Sequence, residues 1–335
     1  MTVQNRQVRL IARPDAIPQA QHFVIVETPL EPLGEGRFRI RNAFLSVDPA
    51  MRGWVSAVAN YSRPVGLNEV MRAFAVGEIV ESRNPDWPVG LRVMGLFGWQ
   101  DFCQSDGRDV VRVVRETDLP LSLSLGVLGL TGLTGYLGLT EIGQPKQGET
   151  VVVSTAAGAV GSVAGQVARL LGCRVVGITG GPAKVALCRE RFGYDAVLDY
   201  RADTNLSAAL AELCPDGVHV YFDNTAGPVS DAVLPHLAVG ARIVVCGTAS
   251  IAAWDPWPQG PRMERHILVK RARMQGFLFF DHAPQFERAA ATLAEWIRAG
   301  RLHHEEEILD GLEAAPGAIA RLYRGENMGK LLIRP

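Results

Sequence analysis

Cysteine is scarce in this chain of 335 residues: Cys103, Cys173, Cys188, Cys214 and Cys246 are odd in number, widely spaced and free of any C-x-x-C pair. That argues against a disulfide framework and against a structural zinc site, and it suits a reducing, cytoplasmic setting. A charge excess is missing as well. With 34 basic against 35 acidic residues the formal net charge is -1, so nothing favours a nucleic-acid backbone and no acidic tail imitates one. The N-terminal stretch MTVQNRQVRLIARPDAIP lacks the continuous apolar core of a secretory signal. One charge-free run exists, LSLSLGVLGLTGLTGYLGL over residues 121–139, with glycine at 126, 129, 132, 135 and 138 and no polybasic flank. The run predicts a closely packed buried helix with its entry loop, not a membrane span, and it has too few prolines for collagen.

What is present is an ordinary globular composition, 47% apolar, and at ~150 residues per domain the length suggests two domains. Up to about residue 120, short apolar runs such as RFRIRNAFLSV and AFAVGEIVES alternate with Pro, Gly, Asn and Asp clusters, the texture of a compact barrel-like sheet. After Gly148 strand and helix alternate strictly, which predicts a parallel sheet covered on both faces. Strands are expected at 151–154, 174–179, 196–200, 219–224, 241–247 and 274–280, with helices at 161–172, 183–193, 204–214, 227–237 and 283–299. Six strands in this rhythm make a full doubly wound domain. The tail from about Leu302 returns to strand-like pieces and folds back onto the first domain, which becomes discontinuous.

Directly after the apolar run TVVV comes STAAGAVGSVAGQVARLLGC. Ala156, Gly158 and Gly161 occupy the positions of a G-x-G-x-x-G fingerprint, with alanine in the first place. Such a turn brings bare backbone at Gly158 and the free N–H groups of a helix start towards a pyrophosphate. The helix behind it aligns Val163, Val167, Leu170 and Leu171 on one face, so it can pack on a sheet. About twenty residues on, where an acid would bind the ribose of NAD, the chain reads ITGGPAK. No carboxylate stands there, and Lys184 is the first charge, placed for a 2'-phosphate. Tyr200 at the next strand end can add a hydroxyl. The pattern points to NADP(H).

With SVDPAMRGW, GLTGLTGYLGL, YFDNTAG, VVCGTAS, RMQGFLFFD and GENMGKLLI in the same order, the sequence resembles the medium-chain dehydrogenase/reductase superfamily, specifically its zinc-free, NADPH-dependent double-bond reductases. Prostaglandin, plant alkenal and bacterial curcumin reductases belong to this branch. The resemblance implies an α/β protein with a Rossmann doubly wound sheet at 123–301 and a discontinuous GroES-like β-barrel catalytic domain at 1–122 and 302–335. A homodimer and NADPH in the cleft between the domains are also implied. Carried over by position, Gly158, Ala159, Val160 and Gly161 lie at the pyrophosphate, Lys184 and Tyr200 at the 2'-phosphate, and Asn224, Cys246, Gly247 and Thr248 along the nucleotide. Phe277, Leu278 and Phe279 flank the nicotinamide, and Asn327 reaches the cofactor from the tail. Read from residues alone, 277–280 is buried sheet core.

Neither a G-H-E motif nor a cysteine cluster is present, and His303 and His304, adjacent on one strand, would face opposite ways. A metal-free reaction is expected: conjugate reduction of an enone or enal, hydride adding to the β-carbon, an enolate held by hydrogen-bond donors, and a proton delivered to the α-carbon. Tyr61, in VANYSRPVG, is the expected protein donor, because resembling sequences carry a tyrosine there and a phenol of pKa ~10 is protonated at pH 7. Met51 and Arg52 are expected to shape the substrate cleft. Ala252 stands where prostaglandin reductases have a second tyrosine, and Trp254 and Trp257 supply a candidate apolar wall, so a hydrophobic or aromatic enone is the expected substrate. An NADPH quinone reductase and a non-catalytic NADPH-binding protein share the same fold and remain alternatives.

Overall fold

The computed structural model describes residues 3–58, 61–202, 205–251, 256 and 258–335. They form two units, Met1–Gly129 with Glu306–Pro335, and Leu130–Glu305. In the first, β1 (Gln4–Leu10) and β2 (Phe23–Pro29) make an antiparallel ribbon. Five more strands follow: β3 (Phe38–Ser46), β4 (Ala75–Ser82), β5 (Arg92–Gly95), β6 (Phe102–Ser105) and β7 (Val110–Val113). Between β3 and β4 lies the short helix α1 (Ala50–Val55). Along β3, Phe38, Ile40 and Asn42 are buried while Arg41 is exposed, the period-two pattern of a half-buried strand. The β3–β4 register shifts beside Asn42, and only glycine fits opposite, since a Cβ on Gly77 would lie 2.1 Å from the carbonyl oxygen of Arg41.

The second unit opens with α2 (Leu130–Leu137). There the periodic glycines find their use: a Cβ on Gly135 would lie 2.8 Å from the carbonyl oxygen of Val160, so the small residue lets two helix backbones approach. The order then runs β8 (Thr150–Ser154), α3 (Ala159–Leu170), β9 (Arg174–Thr179), α4 (Pro182–Ala186), β10 (Ala196–Asp199) and α5 (Leu206–Leu213). It continues with β11 (Val218–Asp223), α6 (Gly227–Val233), β12 (Leu237–Val245), α7 (Glu264–Lys270), β13 (Arg273–Gly276) and α8 (Phe286–Arg298). All six strands are parallel, in the order β10-β9-β8-β11-β12-β13. This is the doubly wound 3-2-1-4-5-6 order, whose switch point lies between β8 and β11. Val151, Val152 and Val153 are buried completely because helices cover both sheet faces. The chain then returns to the first unit with β14 (Glu306–Asp310), α9 (Ala315–Arg324) and β15 (Lys330–Arg334). The antiparallel-rich sheet there has the order β14-β15-β3-β4-β5-β7, with β6 also paired to β3.

Two sequence expectations need correction. The sixth strand ends at Gly276, and 277–280 is not sheet core: Phe279 is buried, but Leu278 and Phe280 are exposed. The chain turns out of the sheet because Asp281 accepts the N–H of Leu278 at 2.9 Å and a 3-10 turn starts at Phe279. Helix α7 was not expected, and the reason is that Leu268 and Val269 point to solvent, leaving no apolar stripe to read. Among the described residues no helix is long and apolar enough to cross a membrane.

Candidate functional site

The fingerprint turn joins β8 to α3. Gly158 is the N-cap of α3, so the cap residue brings no side-chain acceptor to that end, and the first turn carries no acid. The first N–H groups of a twelve-residue helix, at its positive end, are therefore left without an acceptor from the cap residue, which is the arrangement an anion site uses. At Gly161 a Cβ would lie 2.2 Å from the carbonyl oxygen of Thr155, so this glycine seats the helix on the turn. Alanine in the fingerprint's first place is accommodated by a second strand: a Cβ on Gly177 of β9 would lie 2.8 Å from that of Ala156. The space moved from one glycine to another. Ala159 and Val160 are half-buried in the first turn of α3. Sequence reading missed Tyr194, whose hydroxyl donates to the carbonyl of Gly161 at 2.7 Å and whose ring fills the notch left by Gly165 and Gly177. Burial holds that phenol well above its ordinary pKa, so it acts as a fixed donor.

At the end of β9 the turn Gly180–Gly181 leads into α4, which carries Lys184, half-buried. Tyr200 follows β10 and lies against the same turn, since a Cβ on Gly180 would be 2.8 Å from its ring. Tyr200 and the glycine turn are thus in contact, and Lys184 stands three residues beyond Gly181 on the helix that the turn opens. The sequence reading found no acid at the end of β9, yet one arrives from the next strand: Asp199 accepts the N–H of Gly181 at 2.9 Å. Parallel pairing of Asp199 with Thr179 places it there.

Across the switch point, Asp223 ends β11 in a buried network. Its carboxylate accepts from Tyr221 Oη at 3.0 Å, Ser230 Oγ at 2.6 Å and the N–H groups of Thr225 and Ala226, both at 2.9 Å. The loop so fixed presents Asn224, tied to β8 through its Nδ2 to the Ser154 carbonyl at 2.7 Å. The backbone N–H groups of Cys246 and Gly247 donate to the carbonyl of Asp223 at 2.8 and 3.1 Å, and Thr248 continues that loop. Burial, with Asp223 acting in the same direction, pushes the Cys246 thiol up to about 12, so it is a neutral wall. Phe277 packs into the notch at Gly138, while Phe279 stacks on Phe286 at 4.1 Å. Phe279 therefore belongs to the core around α8, and Leu278 beside it is exposed.

In the first unit, Met51 is fully buried on α1, and the Arg52 guanidinium lies 4.9 Å from the ring centroid of Tyr323. Tyr61 is 58% exposed. The protein mass around its hydroxyl still raises the phenol above its ordinary value, and the Asp48 carboxylate acts in the same direction. Beneath α1, Lys330 Nζ donates to Ser46 Oγ at 2.7 Å, the Val47 carbonyl at 2.9 Å and Asp48 Oδ1 at 2.8 Å, all buried. Asn327 is buried with its Nδ2 on the Gly329 carbonyl at 2.8 Å. Trp254, Trp257 and Ala252 lie outside the described residues. All five cysteines are free thiols, and among the described residues no group of three or more His, Cys, Asp or Glu side chains is arranged to hold a metal.

An open helix start, a bare glycine turn and a lysine with a tyrosine at the next strand end form a donor set that fits a phosphorylated dinucleotide. Comparison with known proteins agrees. The family described as "N-terminal domain of oxidoreductase" matches residues 6–113, and the family described as "Zinc-binding dehydrogenase" matches 159–295. The chain is 42% identical to the NADPH-dependent curcumin reductase of Escherichia coli (strain K12), over 98% of this chain and 96% of that one. It is 34% identical to the NADP(+)-dependent 2-alkenal reductase of Nicotiana tabacum, over 99% and 97%. The crystal structure of CurA from Vibrio vulnificus in complex with NADPH matches with a TM-score of 0.92 and 38% identity, covering 98% of each chain.

Proposed function

The chain belongs to the NADPH-dependent double-bond reductase branch of the medium-chain dehydrogenase/reductase superfamily, and from that premise we propose that it reduces the C=C bond of α,β-unsaturated ketones and aldehydes. The observation that carries this reading is the uncapped start of α3 beside a strand end that offers Lys184. Gly158, Ala159, Val160 and Gly161 would hold the pyrophosphate through backbone N–H groups. Lys184 and Tyr200 would hold the 2'-phosphate, and Asn224, Cys246, Gly247, Thr248, Phe277, Leu278, Phe279 and Asn327 would line the rest of the cofactor. When bound, NADPH supplies the hydride for the β-carbon of the substrate.

The protein's own chemistry then concerns charge and a proton. As negative charge grows on the carbonyl oxygen, pre-aimed N–H or O–H donors lower the barrier. Tyr61 is the proposed source of the α-carbon proton: its raised pKa keeps the phenol protonated at neutral pH, and its exposure leaves the hydroxyl replenishable from water. Met51 and Arg52 on α1, with Trp254 and Trp257, are the proposed walls for a hydrophobic or aromatic enone. A cytoplasmic homodimer is the proposed setting; the open edge of β13 and the exposed Leu268 and Val269 support the dimer.

The test follows NADPH absorbance with a 2-alkenal, benzylidene acetone and a quinone side by side, with NADH as the control. Enone-dependent oxidation of NADPH well ahead of NADH is expected. Quinone turnover without enone turnover, or tight NADPH binding with no turnover, would replace this reading by one of its alternatives. Tyr61→Phe is expected to lower kcat by roughly 10²-fold, the low end of what a positioned general acid contributes, with NADPH affinity unchanged. Unchanged kcat would reduce Tyr61 to a wall residue.

A further inference from the structure

An acid beside the proposed phosphate site would repel the ligand if its charge faced it, and its hydrogen bonds turn it elsewhere. Asp199 ends β10 with its carboxylate turned towards backbone. Oδ1 accepts the N–H of Gly181 at 2.9 Å and the N–H of Arg201 at 3.0 Å. These two N–H groups belong to different turns: Gly181 follows β9 and leads into the segment with Lys184, while Arg201 follows Tyr200 after β10. One oxygen atom therefore ties together the two turns that carry the cationic and hydroxyl groups of the proposed 2'-phosphate site.

The local backbone shows why a tie is needed. Gly181 has φ +95°, and among the described residues, its chain neighbours aside, no atom lies within 4 Å of where its Cβ would be. Gly180 likewise has no side chain to anchor it; its neighbour is the Tyr200 ring. Two consecutive glycines lose more conformational freedom on ordering than any other pair. Arg201, for its part, places its guanidinium 5.8 Å from the ring centroid of Tyr200. The stack Gly180, Tyr200, Arg201 is continuous, and Asp199 closes it at the backbone.

We propose that Asp199 is a positioning residue for 2'-phosphate recognition: by clamping the Gly181 and Arg201 N–H groups it sets Lys184 and Tyr200 around one phosphate. The inference rests on the NADPH reading above and deepens it. Asp199 is held below the ordinary carboxylate range, chiefly by the Gly181 N–H, so the clamp is ionised at neutral pH and its hydrogen bonds are charge-assisted. In enzymes selective for NAD an acid at this corner takes the ribose hydroxyl; here the acid is engaged with backbone, and the corner can accept a phosphate.

Calorimetric titration of the full chain with NADPH, NADH and adenosine 2',5'-bisphosphate tests this without turnover. Asp199→Ala is expected to weaken NADPH and the bisphosphate about tenfold while leaving NADH within about twofold, and Asp199→Asn, which keeps an acceptor oxygen, to stay within about threefold of the parent for all three. Equal weakening of NADPH and NADH would mean a merely structural acid and would overturn the proposal. Tighter NADPH binding by either variant would mean that the carboxylate repels the phosphate, and would overturn it too. Should Asp199→Ala fail to fold, Asp199→Ser, whose short hydroxyl cannot bridge both N–H groups, is held to the same expected ratio. A parent protein that binds NADH as well as NADPH and ignores the bisphosphate would defeat the cofactor reading itself, an outcome visible before any variant is made.

Discussion

Removing the Lys330 ammonium is the sharpest test of how α1 is held. All three of its protons are used, at 2.7, 2.8 and 2.9 Å, on Ser46 Oγ, Asp48 Oδ1 and the Val47 carbonyl, and the Lys330 and Asp48 side chains are 4% and 3% exposed. Lys330→Met keeps the length of the side chain and its apolar stem. It leaves the Asp48 carboxylate buried with the Ser46 hydroxyl as its remaining side-chain donor among the described residues, and two further oxygens lose a partner. Breaking a buried pair from one side costs about 3–5 kcal/mol. For a unit of this size that is a fall in Tm of about 6–20 °C, at about 2–4 °C per kcal/mol. Adding Asp48→Asn removes the stranded charge, so the double variant is expected to be more stable than Lys330→Met alone. Because the two units need not unfold together, calorimetry resolving separate transitions is the right assay. A loss below about 1 kcal/mol, or a double variant less stable than the single one, would refute the reasoning that charge burial sets the cost. The N–H of Met51 donates to the Asp48 carbonyl at 3.1 Å, so the same pair fixes the corner from which α1 starts.

Ala226 has φ +57° and ψ -163°, a region essentially reserved for glycine that costs of order 1–3 kcal/mol. Glycine adds about 0.4–1 kcal/mol of unfolded-state entropy, so strain outweighs entropy and Ala226→Gly is expected to stabilise; a lower urea midpoint for the variant would contradict this. Burial lowers the pKa of His236 and of His304, where Arg191 acts in the same direction. Both take up a proton at lower pH in the folded state than in the unfolded chain, whose ordinary pKa is about 6.5, so this contribution to stability is complete above that pH and is lost as the pH falls through the folded-state values. His304→Gln is expected to flatten the decline between pH 7 and 5, measured by denaturant titration; an unaltered slope would exclude His304 as a contributor.

Why some of this was legible in the sequence and some was not follows from the range of the interactions involved. The turn at Gly158 and Gly161 could be read because its physics is local: strand, bare backbone and helix start lie within a dozen residues, and Ala156 was recognisable as a member of the pattern despite its Cβ. What makes Ala156 possible, Gly177, lies on another strand, and Tyr194 reaches Gly161 across 33 residues. No periodicity encodes such a pair; it exists only once β9 stands beside β8 and β10 beside β9. Asp199 is the same case with functional weight. A scan for an acid at the end of the second strand passes over it, because the carboxylate belongs to the third strand and enters through the register that sets Asp199 opposite Thr179. The misreading of 277–280 has the opposite origin. Phe277, Leu278, Phe279 and Phe280 have strong strand propensity, and the local capping of Leu278 by Asp281, together with the stacking of Phe279 on Phe286, overrides it. Propensity describes what a segment prefers in isolation. At the edge strand β13, where one neighbour is missing, a single capping carboxylate is enough to end the strand early.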